Sequence, residues 1–430
     1  MLAMNTKVLD TIVIGAGHAG LSVSYQLKRH RLNHIVFEQG RIGDSWCNQR
    51  WDSFKLNTAN KVNLLPGQEN VFADPEGFCS AKEFADFLEK YSHTFQLPVI
   101  ENSKVVSVDR HTDSKKFSVL AKGNGSITEY RCNNVIIASG GQNIRKIPSF
   151  SNSISSSIIQ LHSSEYKNIT MLPAGAVLVV GSGQTGIQIA EELVNSGRIV
   201  FISTSNVGRV PRRYRGKDII DWLNLTGFND METIEITDRQ IILARQPQLS
   251  GVGERGHTTS LQALAVIGVV ILGRMKSTDS VNVFLESNAA MNVIFADAFS
   301  KKVKEMIDDF INKSHLEAPP PEEDIADKPD EKSSCASKVT TLNLMENNIT
   351  SIIWTTGFTG DFSYLKLPFL TNDGTIKHNN GISDIEGLYF IGLPWLRKRK
   401  SGIILGIRED SEFIVESLMA NKRKRFIIDN

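Results

Sequence analysis

The stretch Ile12-Val13-Ile14-Gly15-Ala16-Gly17-His18-Ala19-Gly20 decides the architecture. An apolar run from Val8 that ends in glycine reads as a buried parallel strand. Ala19, Val23 and Leu27 then recur at helical spacing, and Ile35-Val36-Phe37-Glu38 follows as a second strand. Strand, GxGxxG turn, helix and strand, in that order, make a βαβ unit that grips a dinucleotide pyrophosphate. Gly15 makes the tight turn, Gly17 lets phosphates approach the backbone, and Gly20 lets helix and strand pack closely. The helix N-terminus adds free N–H groups and a partial positive charge. Glu38 stands 18 residues after Gly20, where the second strand ends and a carboxylate can take ribose hydroxyls.

The same pattern returns 166 residues further on, counting from Gly15 to Gly181. Ala176 to Gly181 reads as a strand and Gly181-Ser182-Gly183-Gln184-Thr185-Gly186 as its loop. Ile187, Ala190 and Val194 mark a helical face, and Ile199 to Ser203 is the next strand. No acid ends this strand. Ser203-Thr204-Ser205-Asn206 stands there, followed by Arg209, Arg212, Arg213 and Arg215. Arginine in place of the carboxylate suits a 2′-phosphate, hence NADPH over NADH, with Ser203, Ser205, Arg209, Arg212 and Arg213 as candidate contacts. A third match, Gly251-Val252-Gly253-Glu254-Arg255-Gly256, follows Gln246-Pro247-Gln248 and not a buried strand, so it reads as a turn.

Lys104 to Val108, Phe117 to Leu120 and Val135 to Ala138 are expected strands between the two units. Ile349 to Thr355 and Leu388 to Ile391 are expected after them, and Ile403 to Leu418 as a closing helix. Residues 315–332 carry seven acids, two lysines and four prolines, which cannot bury a core and read as a linker or surface loop. The basic run Lys422-Arg423-Lys424-Arg425 reads as a solvated helix end. A net charge of +1 gives no reason to expect nucleic acid or a membrane surface as partner. The longest apolar stretch, Ala263 to Leu272, is half of the roughly 20 residues that a bilayer requires. Four cysteines, at 47, 79, 132 and 335, form no CxxC pair. That argues against a disulfide framework, a structural metal and a dithiol redox centre, and suits a reducing cytoplasm. Met1 to Thr6 carry no signal-peptide pattern.

With both loops placed, the chain resembles the flavin-containing monooxygenases, class B flavoproteins that include the plant indole-pyruvate type and bacterial relatives. The likeness runs in order along nearly the whole chain outside the acidic segment. It implies FAD in the first cradle, at Gly15, Ala16, Gly17, Ala19, Gly20, Glu38 and Gln39, and NADPH in the second, at Gly181 to Gly186. Gly43-Asp44-Ser45-Trp46 resembles the short motif that lies against FAD, so Asp44, Ser45 and Trp46 are implied contacts, with Val106 on a following strand. Ile137-Ala138-Ser139-Gly140 and Trp354-Thr355-Thr356-Gly357-Phe358 resemble the family's two ATG-type segments, which implies contacts at Ala138, Ser139, Gly140, Thr356 and Gly357. The strand ending at Gly392 and the helix opening at Gly402 resemble the elements beside the flavin ring. Leu56-Asn57-Thr58 resembles the family's threonine–asparagine segment, and Asn57 takes the implied role of orienting the flavin peroxide and the nicotinamide. The hallmark FxGxxxHxxx(Y/F) is half present: His162 and Tyr166 are in place, while Ser156 and Ile158 stand at the earlier positions.

The expectation is thus an α/β chain with two Rossmann-like domains, parallel sheets covered by helices on both faces. The FAD domain takes residues 1–165 and 340–430, and the NADPH domain takes 166–339 with the acidic linker near 315–335. The implied activity is NADPH-dependent oxygenation of a small molecule with O₂, at nitrogen, at sulfur or in a Baeyer–Villiger step, through a C4a-(hydro)peroxyflavin. An oxidase or reductase releasing hydrogen peroxide and a flavoprotein redox sensor are the alternatives. Arg397-Lys398-Arg399-Lys400 could attract an anionic substrate, contact NADPH phosphates, or simply be a solvated loop.

Overall fold

The computed structural model describes residues 9–69, 71–110, 116–328 and 338–428. Cys335, the end of the acidic stretch and the chain start lie outside these described residues.

The strand Leu9–Ile14 pairs in parallel with His34–Phe37 on one side and Ser126–Ile137 on the other. Ile14 sits opposite both Phe37 and Ile137, so the three strands end level where the first glycine loop begins. Val99–Ile100 extends the parallel sheet at one edge, and Leu388–Phe390 runs parallel to the last part of Ser126–Ile137. That strand is twelve residues long and carries both the parallel and the antiparallel part of one mixed sheet. Its first half forms an antiparallel ladder with Phe117–Gly123, which pairs in turn with Ser103–Arg110. The helix His18–Arg29 buries Ala19, Val23 and Leu27 as its periodicity requires. It packs against the closing helix Ile407–Ile428.

The second sheet is wholly parallel, in the order Val270–Leu272, Val200–Ser203, Ala176–Val180, Ile349–Trp354, Ile159–His162. All five residues of Ala176–Val180 are buried, as a central strand covered on both faces demands. Gln184–Asn195 is its dinucleotide-type helix.

Two differences from the sequence reading have physical causes. Ile349–Trp354 and Ile159–His162 belong to the second sheet, so that sheet recruits strands from beyond both ends of 166–339. A strand joins the sheet its apolar faces fit, whatever its place in the chain. The closing helix opens with a 3₁₀ turn, Ile404–Gly406, and becomes regular at Ile407. The apolar stretch 263–272 is no single element: Leu261–Val266 is helix and Val270–Leu272 strand, divided at Gly268 with φ +110. Among the described residues no helix is long and apolar enough to cross a membrane.

Candidate functional site

In both glycine loops the three glycines divide into two kinds. A Cβ on Gly20 would lie 1.8 Å from the Gly15 carbonyl oxygen, and one on Gly15 would lie 2.6 Å from that of Ala138. Gly186 and Gly181 are fenced in the same way, by the Gly181 carbonyl oxygen at 1.9 Å and by Thr355 Oγ1 at 2.8 Å. These four are packing glycines. At Gly17 and Gly183 a Cβ would meet nothing within 4 Å. Their backbones, at φ −77 and φ −71, suit any residue. Neither strain nor internal packing therefore requires glycine there. What glycine leaves there is open space against the backbone.

Around the first loop, Glu38 is buried and accepts the N–H of Ala16 at 2.8 Å and of Gly40 at 3.0 Å. Burial raises its pKa, and the two N–H groups oppose that rise. Gln39 follows it, exposed. Ala138 donates to the Ile14 carbonyl at 2.9 Å, and Gly140 turns with φ +74. Ser139 Oγ shares a hydrogen bond of 2.9 Å with the Tyr364 hydroxyl. Val106 lies at a bulge, where the ladder between Ser103–Arg110 and Phe117–Gly123 shifts register. Asp44 opens a short helix and takes the Asn48 amide at 2.8 Å; Ser45 is exposed, and Trp46 stands edge-on to Phe84. Gly392, φ +75, lays its backbone against Ala19, and Gly402, φ +85, lies against Leu393. Among the described residues, His18 Nε2 at the start of this loop's helix is buried with no hydrogen-bond partner, as are Gln49 Oε1 and Trp51 Nε1 further along the chain. Burial pulls the His18 pKa down to about 4, so its ring is neutral.

Around the second loop, Ser182 Oγ and the Ser205 backbone hold each other, the Ser205 N–H donating at 3.0 Å. Thr356 donates to the Lys146 carbonyl, and Gly357, φ +84, accepts from His162 Nε2 at 3.0 Å. His162 and Tyr166 are both buried; the Tyr166 hydroxyl donates to Glu192 at 2.8 Å. The half-present hallmark thus ties the second sheet together.

Several expected phosphate contacts face inward. Ser203 is buried, and its hydroxyl donates to Gly273 and accepts from Met275. Arg209, 2% exposed, pairs with Asp297 at 2.7 Å and Asp327 at 2.6 Å. Arg212, 1% exposed, pairs with Asp218, stacks over Phe78 at 4.8 Å, and donates to the Asn57 carbonyl at 2.8 Å. Arg213 is exposed but its guanidinium takes the carbonyls of Arg255 and Gly256. A buried guanidinium needs a carboxylate, and the fold supplies one to each. The basic loop is likewise neutralised: Arg397 pairs with Asp410, and Lys398 and Lys400 with Asp230 and Glu409. Arg399 stacks on Phe228 at 4.1 Å and Trp395 at 5.3 Å.

The two units meet at Asn57. Its side-chain oxygen accepts from Gln188 Nε2 at 3.3 Å, and Gln188 lies one turn into the second loop's helix. Trp51, Phe54, Asn57, Phe78, Gln188 and the glycine turn at Gly251–Gly256 line one pocket. An open cleft of about 610 Å³ lies beside it, lined by Ser53, Lys55, Glu192 and Glu254 among others. The third glycine match is therefore the pocket wall, with Gly253 at φ +110 and Gly256 at φ +56. Sequence reading rightly saw a turn but missed this position. Lys55–Glu254 and Arg255–Asp74 tie the turn to the first unit, and His257–Glu191, at 2.7 Å, ties it to the second.

The His257 bond to Glu191 raises the histidine's pKa. Stability from this pair is fully present below the unfolded value of about 6.5 and is lost as pH rises through the higher folded value. His257→Gln should therefore flatten the wild-type fall in thermal midpoint between about pH 6.5 and the raised value, as scanning fluorimetry across that range would read. An identical slope in both proteins would remove the tether from the account.

Comparison with known proteins agrees with this geometry. A model of the family described as pyridine nucleotide-disulphide oxidoreductase matches residues 12–262. A Bacillus subtilis (strain 168) protein named uncharacterized oxidoreductase CzcO is 32% identical over 412 residues, covering 95% of this chain and 99% of its own. The flavin-containing monooxygenase from Stenotrophomonas maltophilia superposes with a TM-score of 0.62 at 17% identity, over 96% of this chain and 99% of that one. OTEMO, solved in complex with FAD and NADP, superposes with a TM-score of 0.56 at 14% identity, over 98% of this chain and 87% of that one. With two glycine cradles, and a family match across more than half its length, the chain belongs to the pyridine nucleotide-disulphide oxidoreductases and is an oxidoreductase that shares its fold with a flavin-containing monooxygenase.

Proposed function

We propose that the protein holds FAD in the first cradle and NADPH in the second, and uses them with O₂ to oxygenate a small molecule. The observation that carries this reading is the bond from Gln188 to Asn57, which joins the second cradle's helix to the first unit beside an aromatic pocket. The residues present fit both groups. The space outside Gly17 and Gly183 is where phosphates would lie, and neither loop's helix has an acid in its first turn to repel them. The unpartnered His18 Nε2 suits a polar ligand against the first loop. When bound, the flavin supplies acceptance of a hydride and activation of O₂.

The chain's own part is positioning and the exclusion of water. Glu38, fixed by two N–H groups, would take ribose hydroxyls. Asn57, held by Gln188 at its side chain and by Arg212 at its carbonyl, would present its amide to the reacting groups. Trp51, Phe54 and Phe78 would keep water from the part of the pocket wall they cover.

The test is an NADPH-oxidation screen over amines, thioethers, ketones and amino acids, with peroxide measured in parallel. The reading expects at least one substrate class to give oxygenated product in step with NADPH consumed. Peroxide alone, with every class, would overturn it in favour of an oxidase. With an active substrate in hand, Asn57→Ala should keep its FAD and lose on the order of tenfold in product formed per NADPH, the scale of one lost hydrogen bond of about 1.4 kcal/mol. An unchanged ratio would return Asn57 to a turn residue.

A further inference from the structure

We propose that Arg245, seated beside Ser205, is the residue that reads the 2′-phosphate of the nicotinamide nucleotide; the inference rests on the NADPH reading above. In a dinucleotide-binding βαβ unit, the end of the second strand faces the adenosine ribose. Here that strand is Val200–Ser203, and Ser205 lies two residues past its end, tied by its backbone to Ser182 in the glycine loop. Arg245 Nη1 donates to Ser205 Oγ at 2.6 Å. Its side chain is exposed, and among the described residues no ion pair engages it.

The segment carrying Arg245 is mounted on the same loop. Gln248 Nε2 donates to the Ser182 carbonyl at 2.6 Å, the Leu249 N–H donates to Gln184 Oε1 at 2.6 Å, and Gln184 Nε2 donates to the Ser250 carbonyl at 2.6 Å. Gln248 also bridges to Arg209, setting the two stretches side by side. A guanidinium so placed keeps donors free for phosphate oxygens while one N–H rests on the Ser205 hydroxyl. Arg209, Arg212 and Arg215, nearer in sequence, are spent on Asp297, Asp327, Asp218 and Asp308.

The test is calorimetric titration of the purified flavin-loaded protein with NADP⁺ and with NAD⁺, for wild type, Arg245→Ala and Arg245→Lys. The proposal expects wild type to prefer NADP⁺. Arg245→Ala should weaken NADP⁺ by roughly 10- to 100-fold and leave NAD⁺ within about twofold, the scale of one charge-assisted contact. Arg245→Lys should recover part of the loss, since it keeps the charge without the planar fork. Preference for NADP⁺ surviving Arg245→Ala would overturn this assignment while leaving the NADPH reading intact. No preference in wild type would overturn the NADPH reading itself, and the assignment with it.

Discussion

Gly17→Val is expected to give a protein that folds as the wild-type apoprotein does and carries no flavin. The argument is the asymmetry among the three glycines. At Gly17 a Cβ meets no protein atom within 4 Å and the backbone is extended, so valine costs the fold little. The space its side chain would fill is where a pyrophosphate must touch the backbone. Purified material should be colourless, with the thermal midpoint of flavin-stripped wild type. Flavin-stripped protein is the proper reference, because a ligand bound only to the native state raises the midpoint by mass action. Gly20→Ala supplies the contrast. Its Cβ would stand 1.8 Å from the Gly15 carbonyl oxygen, so the helix must move, at a cost of roughly 1–3 kcal/mol or more. A yellow, fully loaded Gly17→Val protein would contradict the first-cradle assignment.

Arg212→Met is expected to be the most destabilising substitution among the arginines of the second unit. It leaves Asp218, 8% exposed, without its partner, and removes the bond to the Asn57 carbonyl. Stranding one member of a buried pair costs about 3–5 kcal/mol. Adding Asp218→Asn should recover much of this: the charge is gone, and asparagine can still cap the helix at Ile220. Urea unfolding of the two single variants and the double variant measures the coupling. The same Arg212→Met protein should retain the wild-type ratio of NADP⁺ to NAD⁺ affinity. A selective loss of NADP⁺ with unchanged stability would make Arg212 a phosphate ligand after all.

These outcomes mark where the sequence was readable. Both cradles were legible because glycine spacing, an apolar strand and a helical stripe are local signals, and the strands 9–14, 34–37, 176–180 and 200–203 sit where those signals place them. The arginines after Ser203 were legible as charge but not as contacts. Asp297 and Asp327, the partners of Arg209, lie roughly 90 and 120 residues away, and only the folded chain brings them together. Arg245 escaped notice for the same reason, standing 40 residues beyond Ser205 on an irregular segment. The assignment of Ile349–Trp354 to the second sheet was invisible because a buried strand's apolar run does not say which sheet it joins. The glycine turn 251–256 carried a motif without the strand that would have given it meaning, and its role as a wall appears only with Asn57 and Gln188 beside it.

The central claim is that two strand–turn–helix cradles set a nicotinamide ring against a flavin, and it is tested most directly by adding NADPH to the purified protein without oxygen. The account predicts yellow material whose visible flavin absorbance bleaches with one equivalent of NADPH and returns on admitting air. Colourless protein, or a flavin that NADPH leaves oxidised, would contradict it.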